Sequence, residues 1–479
     1  MVPLLIAAAV AMPATDRCAV LATVFIEHAT MERAMRLAGG GCRIDGQAAP
    51  VEGSHIRFEL RLPPPERWSG RYYQIGNGGF AGAIHDPTLA EGEARGDAIA
   101  GTDTGHAGTG FDASWAKGHP VQVDDYGWRA IKATSDASRT LLGHYYGRPA
   151  KHRYAIGCSN GGRMALMAAA RWPADWDGVI AGAPANPWTD QFRAFGLLQH
   201  QLRDAPGNWI SPALLPAIRA TALAQCPPGS VQNGIATRPQ ACGTDFDQMR
   251  CVPSHAGPCL SDGQMASLSA IVRAGYLPAA MIPADWQRWI LASTRSDSQL
   301  TFATQAGPEL LSAGDTLDVP IPGLLAFAAR GGKILSYFGW SDAVVAPMRG
   351  LGWYRAVIRR TPPALRGSYR LFMVPGMTHC QDGEGPTRFG QSIDTPGLRD
   401  DRRHDVRRSI EAWVEQGQAP EIMIATDAAG TEMRRIRPLS ETFAIPGNFF
   451  GANISAWVDE PDGRRSESLP KAGNDGHWR

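Results

Sequence analysis

The residue with the clearest chemical potential is a serine inside a glycine-flanked pentapeptide. Gly157-Cys158-Ser159-Asn160-Gly161 fits the pattern G-x-S-x-G, with Ser159 at its centre. An apolar run at residues 154–156 predicts a strand before it, and residues 163–171 predict a helix after it. In this context small neighbours let the backbone turn sharply and lift the serine hydroxyl out of the sheet. The pattern therefore predicts a nucleophilic Ser159; the alternative is a glycine-rich turn with a bystander serine.

A serine nucleophile requires a base, and the base requires an acidic group that orients it. Asp342 follows the strand-like residues 334–338, and His379 follows the strand-like residues 371–374. Both lie just beyond strand ends, where an open α/β sheet places its site. The chain order Ser, Asp, His is that of α/β hydrolases. We therefore expect Ser159, Asp342 and His379 to form a triad; the alternative is that Asp342 and His379 are ordinary loop residues.

Two of the three residues expected in the triad have a cysteine as their neighbour. Cys158 precedes Ser159, and Cys380 follows His379. If the serine and the histidine meet, their cysteines come within the few ångströms that a disulfide requires. Such a bond closes a very long loop, for which the chain-entropy model gives about 4–5 kcal/mol of stabilisation. The alternative is two unrelated thiols, one of them reactive, with a redox role.

The other six cysteines fall into pairs that are close in sequence. We expect disulfides between Cys226 and Cys242 and between Cys251 and Cys259, with a third between Cys18 and Cys42. An even number of cysteines suits an oxidising compartment. No C-x-x-C pair occurs, which disfavours a zinc ribbon or a dithiol redox motif. The alternative is a cytosolic protein with eight reduced, buried cysteines.

The elements that must position these residues alternate between strand and helix. Strands are predicted at 55–62, 71–75, 97–104, 154–156, 179–182, 333–338 and 368–374, and helices at 128–146, 163–171 and 402–416. This alternation predicts an α/β fold with a parallel sheet. Between 187 and 319 the chain has four cysteines and few strand signals. We therefore expect one α/β domain, residues 15–186 and 320–462, interrupted by a disulfide-stapled insertion at 187–319.

Composition and the two chain ends bear on compartment and partners. The 479 residues are 44% apolar and 19% charged, a composition that excludes a predominantly disordered chain. The formal charge is only +1, so the sequence has no excess of basic residues that would indicate binding to a nucleic acid. The run 4–11, with small residues at its end, predicts a signal-like segment at 1–14 and a secreted or periplasmic protein; the alternative is a buried strand. No other segment is long enough to cross a bilayer, so we expect no membrane partner. Residues 463–479 are predicted to form a loose tail.

The chain resembles the tannase and feruloyl esterase family in its Cys158-Ser159, Asp342 and His379-Cys380 motifs. Further shared stretches are Gly76-Asn-Gly-Gly, Gly101-Thr-Asp-Thr-Gly-His106, Ala181-Gly-Ala-Pro184, Val374-Pro-Gly-Met377 and Trp413-Val-Glu-Gln-Gly-Gln-Ala-Pro420. The resemblance implies an α/β-hydrolase catalytic domain with residues 187–319 as its lid. It also implies hydrolysis of aromatic-acid esters, with Ser159 as nucleophile, His379 as base, Asp342 as its partner, and an oxyanion hole formed by the backbone N–H groups of Gly78 and Asn160.

Three departures from the family pattern leave the triad intact. Family lids commonly hold calcium in an aspartate-rich loop, whereas the matching stretch 226–235 contains no aspartate. Because calcium prefers carboxylate oxygens, we expect weak or no calcium binding and no other cofactor. Phe338 replaces a histidine common in the family, which makes that wall of the site more apolar. Ser440 replaces a cysteine of a C-terminal disulfide.

Other functions find less support in the sequence. Gly76-Asn-Gly-Gly is not a dinucleotide-binding motif, and there is no H-E-x-x-H or Walker loop. Asp103 and His106 resemble a metal pair, but buried hydrogen bonding is the preferred interpretation. The insertion's tryptophans are expected in its core rather than as a substrate surface. Acyl transfer, hydrolysis of non-aromatic esters, or a non-catalytic binding role remain alternatives. The acid, the alcohol and the oligomeric state stay open.

Overall fold

The computed structural model describes residues 14–203, 205–253, 257–291, 307–391 and 398–440. The predicted signal-like segment, apart from residue 14, and the predicted tail at 463–479 lie outside these ranges. The strands are β1 (Ala29–Arg36), β2 (Cys42–Ala48), β3 (Ile56–Leu62), β4 (Arg71–Ile75), β5 (Ala98–Thr102), β6 (His152–Cys158), β7 (Gly178–Gly182), β8 (Val231–Gln232), β9 (Ile235–Ala236), β10 (Lys333–Gly339), β11 (Tyr369–Val374), β12 (Met423–Thr426) and β13 (Met433–Ile436).

The helices are α1 (Ala14–Leu21), α2 (Asp86–Ala94), α3 (Pro120–Asp124), α4 (Ala130–Tyr146), α5 (Asn160–Arg171), α6 (Trp188–Arg203), α7 (Leu215–Ala224), α8 (Asp262–Arg273), α9 (Pro283–Asp285), α10 (Gly307–Ser312), α11 (Gly314–Leu317), α12 (Ile321–Ala329), α13 (Pro347–Arg360) and α14 (Val406–Gln416). π-Helical turns at Asp125–Arg129 and Trp286–Leu291 extend α3 and α9. Short 3₁₀ turns lie at Ser114–Ala116, Pro206–Asn208, Pro212–Leu214, Pro239–Ala241, Asp247–Met249, Pro278–Ala280 and Pro363–Ser368.

Nine strands form one mixed sheet in the order β1-β2-β3-β5-β4-β6-β7-β10-β11. The strands from β5 to β11 in this order pair in parallel, whereas β1, β2 and β3 pair antiparallel at one edge. The α/β class predicted from the sequence is confirmed, while the fully parallel sheet is not. Antiparallel edge strands need only short connections, which strand–helix alternation does not reveal.

Successive residues of the strands alternate between two hydrophobic clusters on opposite faces of the sheet. Tyr72 and Ala155 pack with α4, α5 and α13 on one face, and Tyr73 and Tyr154 pack with α2 and α14 on the other. Both faces of the parallel strands are therefore buried, as expected when helices cover the two sides.

The segment between β7 and α12 builds its own hydrophobic cluster, mainly from helices. The cluster contains Leu198, Ile218, Leu260, Ile271 and Trp286, and it also includes Ala343 and Ala346 of the loop after β10. Its only sheet among the described residues is the β8–β9 hairpin. The described residues between β7 and α12 are thus mainly helical and pack against the loop that carries Asp342. The domain division at 187–319 stays a prediction.

Helix starts differ from the sequence expectation by a few residues, for identifiable reasons. The late helix, predicted from residue 402, begins at Val406 because the Asp405 carboxylate caps it, accepting hydrogen bonds from the N–H groups of Arg407 and Arg408 at 2.8 and 3.2 Å. The helix predicted from residue 163 begins at Asn160, directly after the serine.

Four disulfides occur in the structure, and their pairs are those expected from the sequence. Cys18–Cys42 joins α1 to β2, and Cys226–Cys242 and Cys251–Cys259 lie within the insertion. Cys158–Cys380 spans 222 positions of the chain. Within the described residues, no helix combines the length and apolarity needed to cross a bilayer.

Candidate active site

Ser159 lies at the turn between β6 and α5, at the carboxyl edge of the parallel strands. Its backbone φ of 61° and ψ of −128° are rare for a residue with a side chain. The turn is fixed by hydrogen bonds from Ser159 N to Gly182 O, at 2.9 Å, and from Ala185 N to Ser159 O, at 3.1 Å. The tightness of this turn depends on glycine: a Cβ atom on Gly161 would come within 2.6 Å of the Gly76 carbonyl oxygen. The chain therefore presents Ser159 in a strained, well-anchored conformation.

A buried arginine anchors the helix that follows the serine. The Arg163 side chain is fully buried and donates to Asn160 Oδ1 at 2.7 Å, as well as to the backbone oxygens of Gly127 and Tyr126 at 2.9 and 3.0 Å. Burial lowers the pKa of Arg163 from its ordinary value. Several carbonyl oxygens accept hydrogen bonds from the guanidinium group, and they offset the cost of burying its charge. Among the described hydrogen bonds of Arg163, none is to a carboxylate.

Asp342 and His379 meet at the ends of β10 and β11. His379 Nδ1 lies 2.8 Å from Asp342 Oδ2, and the aspartate side chain is completely buried. The other carboxylate oxygen accepts the N–H groups of Val344 and Val345 at 2.8 and 2.9 Å. An ionised carboxylate only accepts hydrogen bonds, so Nδ1 carries the proton and Nε2 is left with a free lone pair. In this arrangement the imidazole could accept a proton at Nε2.

The disulfide between Cys158 and Cys380 links the serine turn to the histidine loop. The two Cα atoms lie 5.8 Å apart, and the residues adjoining them in sequence are Ser159 and His379. Both Ser159 and His379 line one cavity of about 540 Å³. The covalent link therefore holds a hydroxyl and an imidazole at the same opening of the sheet.

Gly78 and Asn160, predicted to supply the oxyanion hole, line the same cavity. Asn160 is the first residue of α5, so its N–H has no carbonyl partner within the helix and lies at the positive end of the helix dipole. Its side chain donates to Asn77 O at 3.1 Å, which ties the glycine-rich loop to α5. Gly78 and Asn160 thus come from two different loops at the cavity that Ser159 lines, and their role as an oxyanion hole stays a prediction.

The segment Gly101–His106 supports the glycine-rich loop. Asn77 donates to Thr102 O at 2.5 Å, Gly82 N donates to Asp103 O at 2.9 Å, and His106 Nε2 lies 2.8 Å from Phe80 O. Asp103 Oδ1 accepts from Arg57 N and Gly105 N at 3.0 and 2.8 Å. Asp103 and His106 therefore take part in buried hydrogen bonding, as preferred from the sequence. Burial raises the pKa of Asp103 to about 7 and lowers the pKa of His106 to about 4.

The cavity wall contains residues that the sequence did not single out. Most are apolar or aromatic, such as Phe111, Phe192 and Phe195, and the polar ones include Gln191 and Arg407. Trp188 and Trp286 are buried, as expected for core tryptophans, but Trp188 and Trp289 also line the cavity. The signal available in the sequence was a run of aromatic residues directly after the predicted strand 179–182, at the start of the insertion.

The stretch that matches the family's calcium loop forms a tight hairpin. Strands β8 and β9 are joined by Asn233 and Gly234, both with positive φ. Ser230 Oγ donates to Pro227 O at 2.5 Å instead of facing a ligand. Among the described residues, no three histidine, cysteine, aspartate or glutamate side chains come together as a metal-binding group. The residues present in this hairpin do not fit a calcium ion.

The chain is similar in sequence to known esterases. The family model described as tannase and feruloyl esterase matches residues 42–308 and 291–447. An uncharacterized esterase of Xanthomonas campestris pv. campestris is 33% identical over 90% of this chain and 86% of its own length. Feruloyl esterase B of Aspergillus niger is 27% identical over 80% of this chain and 78% of its own.

Solved structures share the fold. The crystal structure of feruloyl esterase B from Aspergillus oryzae matches with a TM-score of 0.73 and 21% identity, over 89% of this chain and 96% of that one. Tannin acyl hydrolase from Aspergillus niger matches with a TM-score of 0.67 and 19% identity, over 89% and 93%. The fold is thus that of the α/β hydrolases, and the chain belongs to the tannase and feruloyl esterase family as a carboxylic ester hydrolase.

Proposed function

We propose that this enzyme is an exported serine esterase that hydrolyses esters of aromatic acids. The observation that carries the proposal is the His379–Asp342 hydrogen bond of 2.8 Å, together with a disulfide between the residues adjacent to His379 and Ser159. A histidine whose Nδ1 is committed to a buried carboxylate offers Nε2 as a base toward the cavity in which Ser159 lies.

In the proposed mechanism Ser159 Oγ attacks the ester carbonyl carbon while His379 Nε2 takes the hydroxyl proton. The N–H groups of Gly78 and Asn160 stabilise the oxyanion of the tetrahedral intermediate. The carbon–oxygen bond to the alcohol then breaks, and His379 returns its proton to the departing oxygen. Water, deprotonated by His379, attacks the acyl-enzyme, and the free acid leaves as Ser159 regains its proton.

The wall of the cavity supports an aromatic substrate. Phe111 faces Trp289 with ring centroids 6.2 Å apart, and Trp188 stacks on Phe192 with centroids 4.1 Å apart. A cavity of about 540 Å³ lies in the range of small-molecule sites. Flat rings gain offset-stacked and edge contacts with such walls, which favours esters of hydroxycinnamic, gallic or terephthalic-type acids.

Export and independence from metals complete the proposal. Four disulfides support an oxidising compartment outside the cytosol, either periplasmic or extracellular. The hairpin at Asn233 and Gly234 has no carboxylate ligands, which supports an enzyme without the family's lid calcium. We propose no partner beyond the ester substrate and water. Fractionation of expressing cells tests export: activity confined to the cytosol would contradict it.

The deciding experiment compares wild type and Ser159→Ala on methyl ferulate, methyl gallate, a terephthalate half-ester and p-nitrophenyl acyl esters. We expect wild type to prefer the aromatic-acid esters and the variant to lose on the order of 10⁴-fold or more in kcat. Retained turnover by the folded variant would reject Ser159 as nucleophile. Adding a competing alcohol and analysing the products separates hydrolysis from acyl transfer.

A further inference from the structure

We propose that Tyr337 is a specificity-determining residue for the alcohol part of the ester, whose phenolic hydroxyl forms a hydrogen bond with a second hydroxyl group of that alcohol. This inference rests on the proposed function, because it concerns the same cavity. It adds the chemistry of the leaving alcohol, which the aromatic wall of the cavity does not define.

The first observation is a hydroxyl without a partner that is open to the cavity. Tyr337 lines the cavity and is 2% exposed, and its Oη makes no hydrogen bond within the described part of the chain. The unpaired side-chain atoms that have almost no accessible surface include Gln191 Nε2 and Arg407 Nη1, but not Tyr337 Oη. The Tyr337 oxygen therefore keeps surface that faces the cavity, where a ligand can reach it.

The second observation is that Tyr337 belongs to an inner recess of the cavity. The recess is lined by Ile156 on β6, Ile180 on β7, Tyr337 on β10 and Val406 at the start of α14. All four are buried, and all belong to the hydrophobic cluster between the sheet and α14. The recess is thus a largely aliphatic space that offers one hydroxyl group.

The aromatic wall of the cavity belongs to a different part of the molecule. Trp188 and Phe195 of α6 pack with Phe80 in a separate hydrophobic cluster. The cavity therefore has two unlike ends, one aromatic and one aliphatic. Since the aromatic end suits the ring of the acid, the inner recess is left for the alcohol.

The third observation places the Tyr337 hydroxyl close to the reacting groups. A Cβ atom on Gly182 would come within 2.3 Å of Tyr337 Oη. Gly182 pairs with Cys158 in the sheet, and its carbonyl oxygen accepts from Ser159 N at 2.9 Å. Cys158 also lines the cavity and is bonded to Cys380, the neighbour of His379. In the proposed mechanism His379 returns its proton to the departing alcohol, so we expect the alcohol on this side of Ser159.

The other polar side chains near the recess are engaged within the protein. Gln391 donates to Thr387 O at 2.7 Å and accepts from Phe389 N at 2.7 Å. The charge of Arg407 is balanced by Glu91, whose carboxylate oxygen lies 2.5 Å away. Burial raises the pKa of Tyr337, so the group is a neutral hydroxyl that can both donate and accept. The partner it fits is therefore an uncharged hydroxyl on a short carbon chain rather than an anion.

The test compares kcat/KM for 2-hydroxyethyl ferulate and n-propyl ferulate. The two esters share the acid and the chain length, and they differ only in a terminal hydroxyl against a methyl group. Tyr337→Phe removes one oxygen and keeps the ring that packs against Gly182 and Phe389. We expect the hydroxyethyl-to-propyl ratio to fall about 10-fold in this variant, because one buried hydrogen bond is lost.

Tyr73→Phe is the matched control. Tyr73 lies in the same hydrophobic cluster as Tyr337 but outside the cavity lining, and its hydroxyl donates to Glu411 at 2.7 Å. The ratio should keep its wild-type value in this control. An unchanged ratio in folded Tyr337→Phe, or an equal loss on both esters, would overturn the role of Tyr337 while leaving the aromatic esterase intact.

A second measurement needs no variant. Without a hydrogen bond, a recess of aliphatic side chains would favour the propyl group. We therefore expect wild type to prefer the hydroxyethyl ester after each kcat/KM is divided by the rate of alkaline hydrolysis of the same ester. Equal values or a preference for the propyl ester would contradict the inference. Failure on both ferulates, with turnover of p-nitrophenyl acetate, would instead refute the proposed substrate class and, with it, the inference.

Discussion

At the scale of single residues, hydrogen bonds fix the backbone of Ser159 and the side chain of Asp342. Ser159 occupies a backbone region that costs about 1–3 kcal/mol, which the surrounding hydrogen bonds of the turn must offset. Asp342 receives three donors, of which one is His379 Nδ1 and two are backbone N–H groups. One carboxylate thus both orients the His379 imidazole and shapes its own loop.

This double role of Asp342 leads to a prediction about two substitutions. Asp342→Asn retains an oxygen for the N–H groups of Val344 and Val345 but places an amide against His379, which favours the wrong tautomer. We expect kcat to fall about 10⁴-fold with little change in melting temperature. Asp342→Ala, the comparison, removes the loop contacts as well and should also melt earlier. Activity near wild type in the asparagine variant would contradict the proposed triad.

At the scale of elements, a disulfide and several hydrogen bonds join loops that follow different strands. The Cys158–Cys380 disulfide joins the β6–α5 turn to the loop after β11, and residues 101–106 after β5 support the glycine-rich loop after β4. The rigidity of the site therefore depends on contacts between neighbouring strand ends.

The disulfide prediction belongs to this scale. Removing Cys158–Cys380 by a double serine substitution should lower the free energy of unfolding by about 5 kcal/mol and abolish most activity, because the loop it closes is long and its ends carry Ser159 and His379. Removing Cys251–Cys259, which spans 8 positions, should cost about 2.5 kcal/mol and spare activity far better. Denaturant unfolding and initial rates measure both. Reductant should inactivate the enzyme, whereas a thiol-redox role would require reductant for activity.

The support under the glycine-rich loop leads to a pH prediction. Burial raises the pKa of Asp103 from 3.8 to about 7, so between these pH values the unfolded chain has lost a proton that the folded chain keeps. Stability from this group therefore falls as pH rises through that window. Asp103→Asn carries no such ionisation and keeps an oxygen for Arg57 N and Gly105 N.

We therefore expect the melting temperature of Asp103→Asn, relative to wild type, to increase from pH 5 to pH 8. Burial lowers the pKa of His106 to about 4, which makes stability fall on acidification, but this effect is common to both proteins and cancels in the comparison. A difference in melting temperature that does not vary with pH would contradict the raised pKa of Asp103.

At the scale of the whole molecule, the insertion is attached to the core around the site. Arg219 of α7 donates to Glu384, in the loop that carries His379, at 2.8 Å, and Asp190 of α6 pairs with Arg349 of α13. Ala343 and Ala346 belong to the insertion's own hydrophobic cluster. The cavity is therefore closed by two parts of the chain that share apolar and charged contacts.

The prediction at this scale concerns calcium. Because the β8–β9 hairpin has no carboxylate ligands, dialysis against a chelator should leave both melting temperature and kcat/KM unchanged, and added calcium should not raise the melting temperature. A family member that has the aspartate-rich loop serves as the comparison and should lose stability under the same treatment. A calcium-dependent rise in melting temperature would show that other oxygen ligands replace the missing aspartates.

The sequence alone determined the class of fold and the residues at the strand ends. These residues could be predicted because turns and strands depend on residues that are neighbours in sequence. Ser159 lies between glycines before a helix, and Asp342 and His379 each follow a strand. The cysteines beside Ser159 and His379 extended this prediction to a long-range contact.

Only the tertiary structure decided what surrounds these residues. The antiparallel edge of β1 to β3, the His379–Asp342 hydrogen bond, and the aromatic lining of the cavity all depend on which distant segments meet. Burial and hydrogen-bond partners result from packing between parts of the chain that are remote in sequence, so a local sequence pattern does not specify them. The cysteines beside Ser159 and His379 are the exception, because a disulfide between them predicts a contact between remote segments.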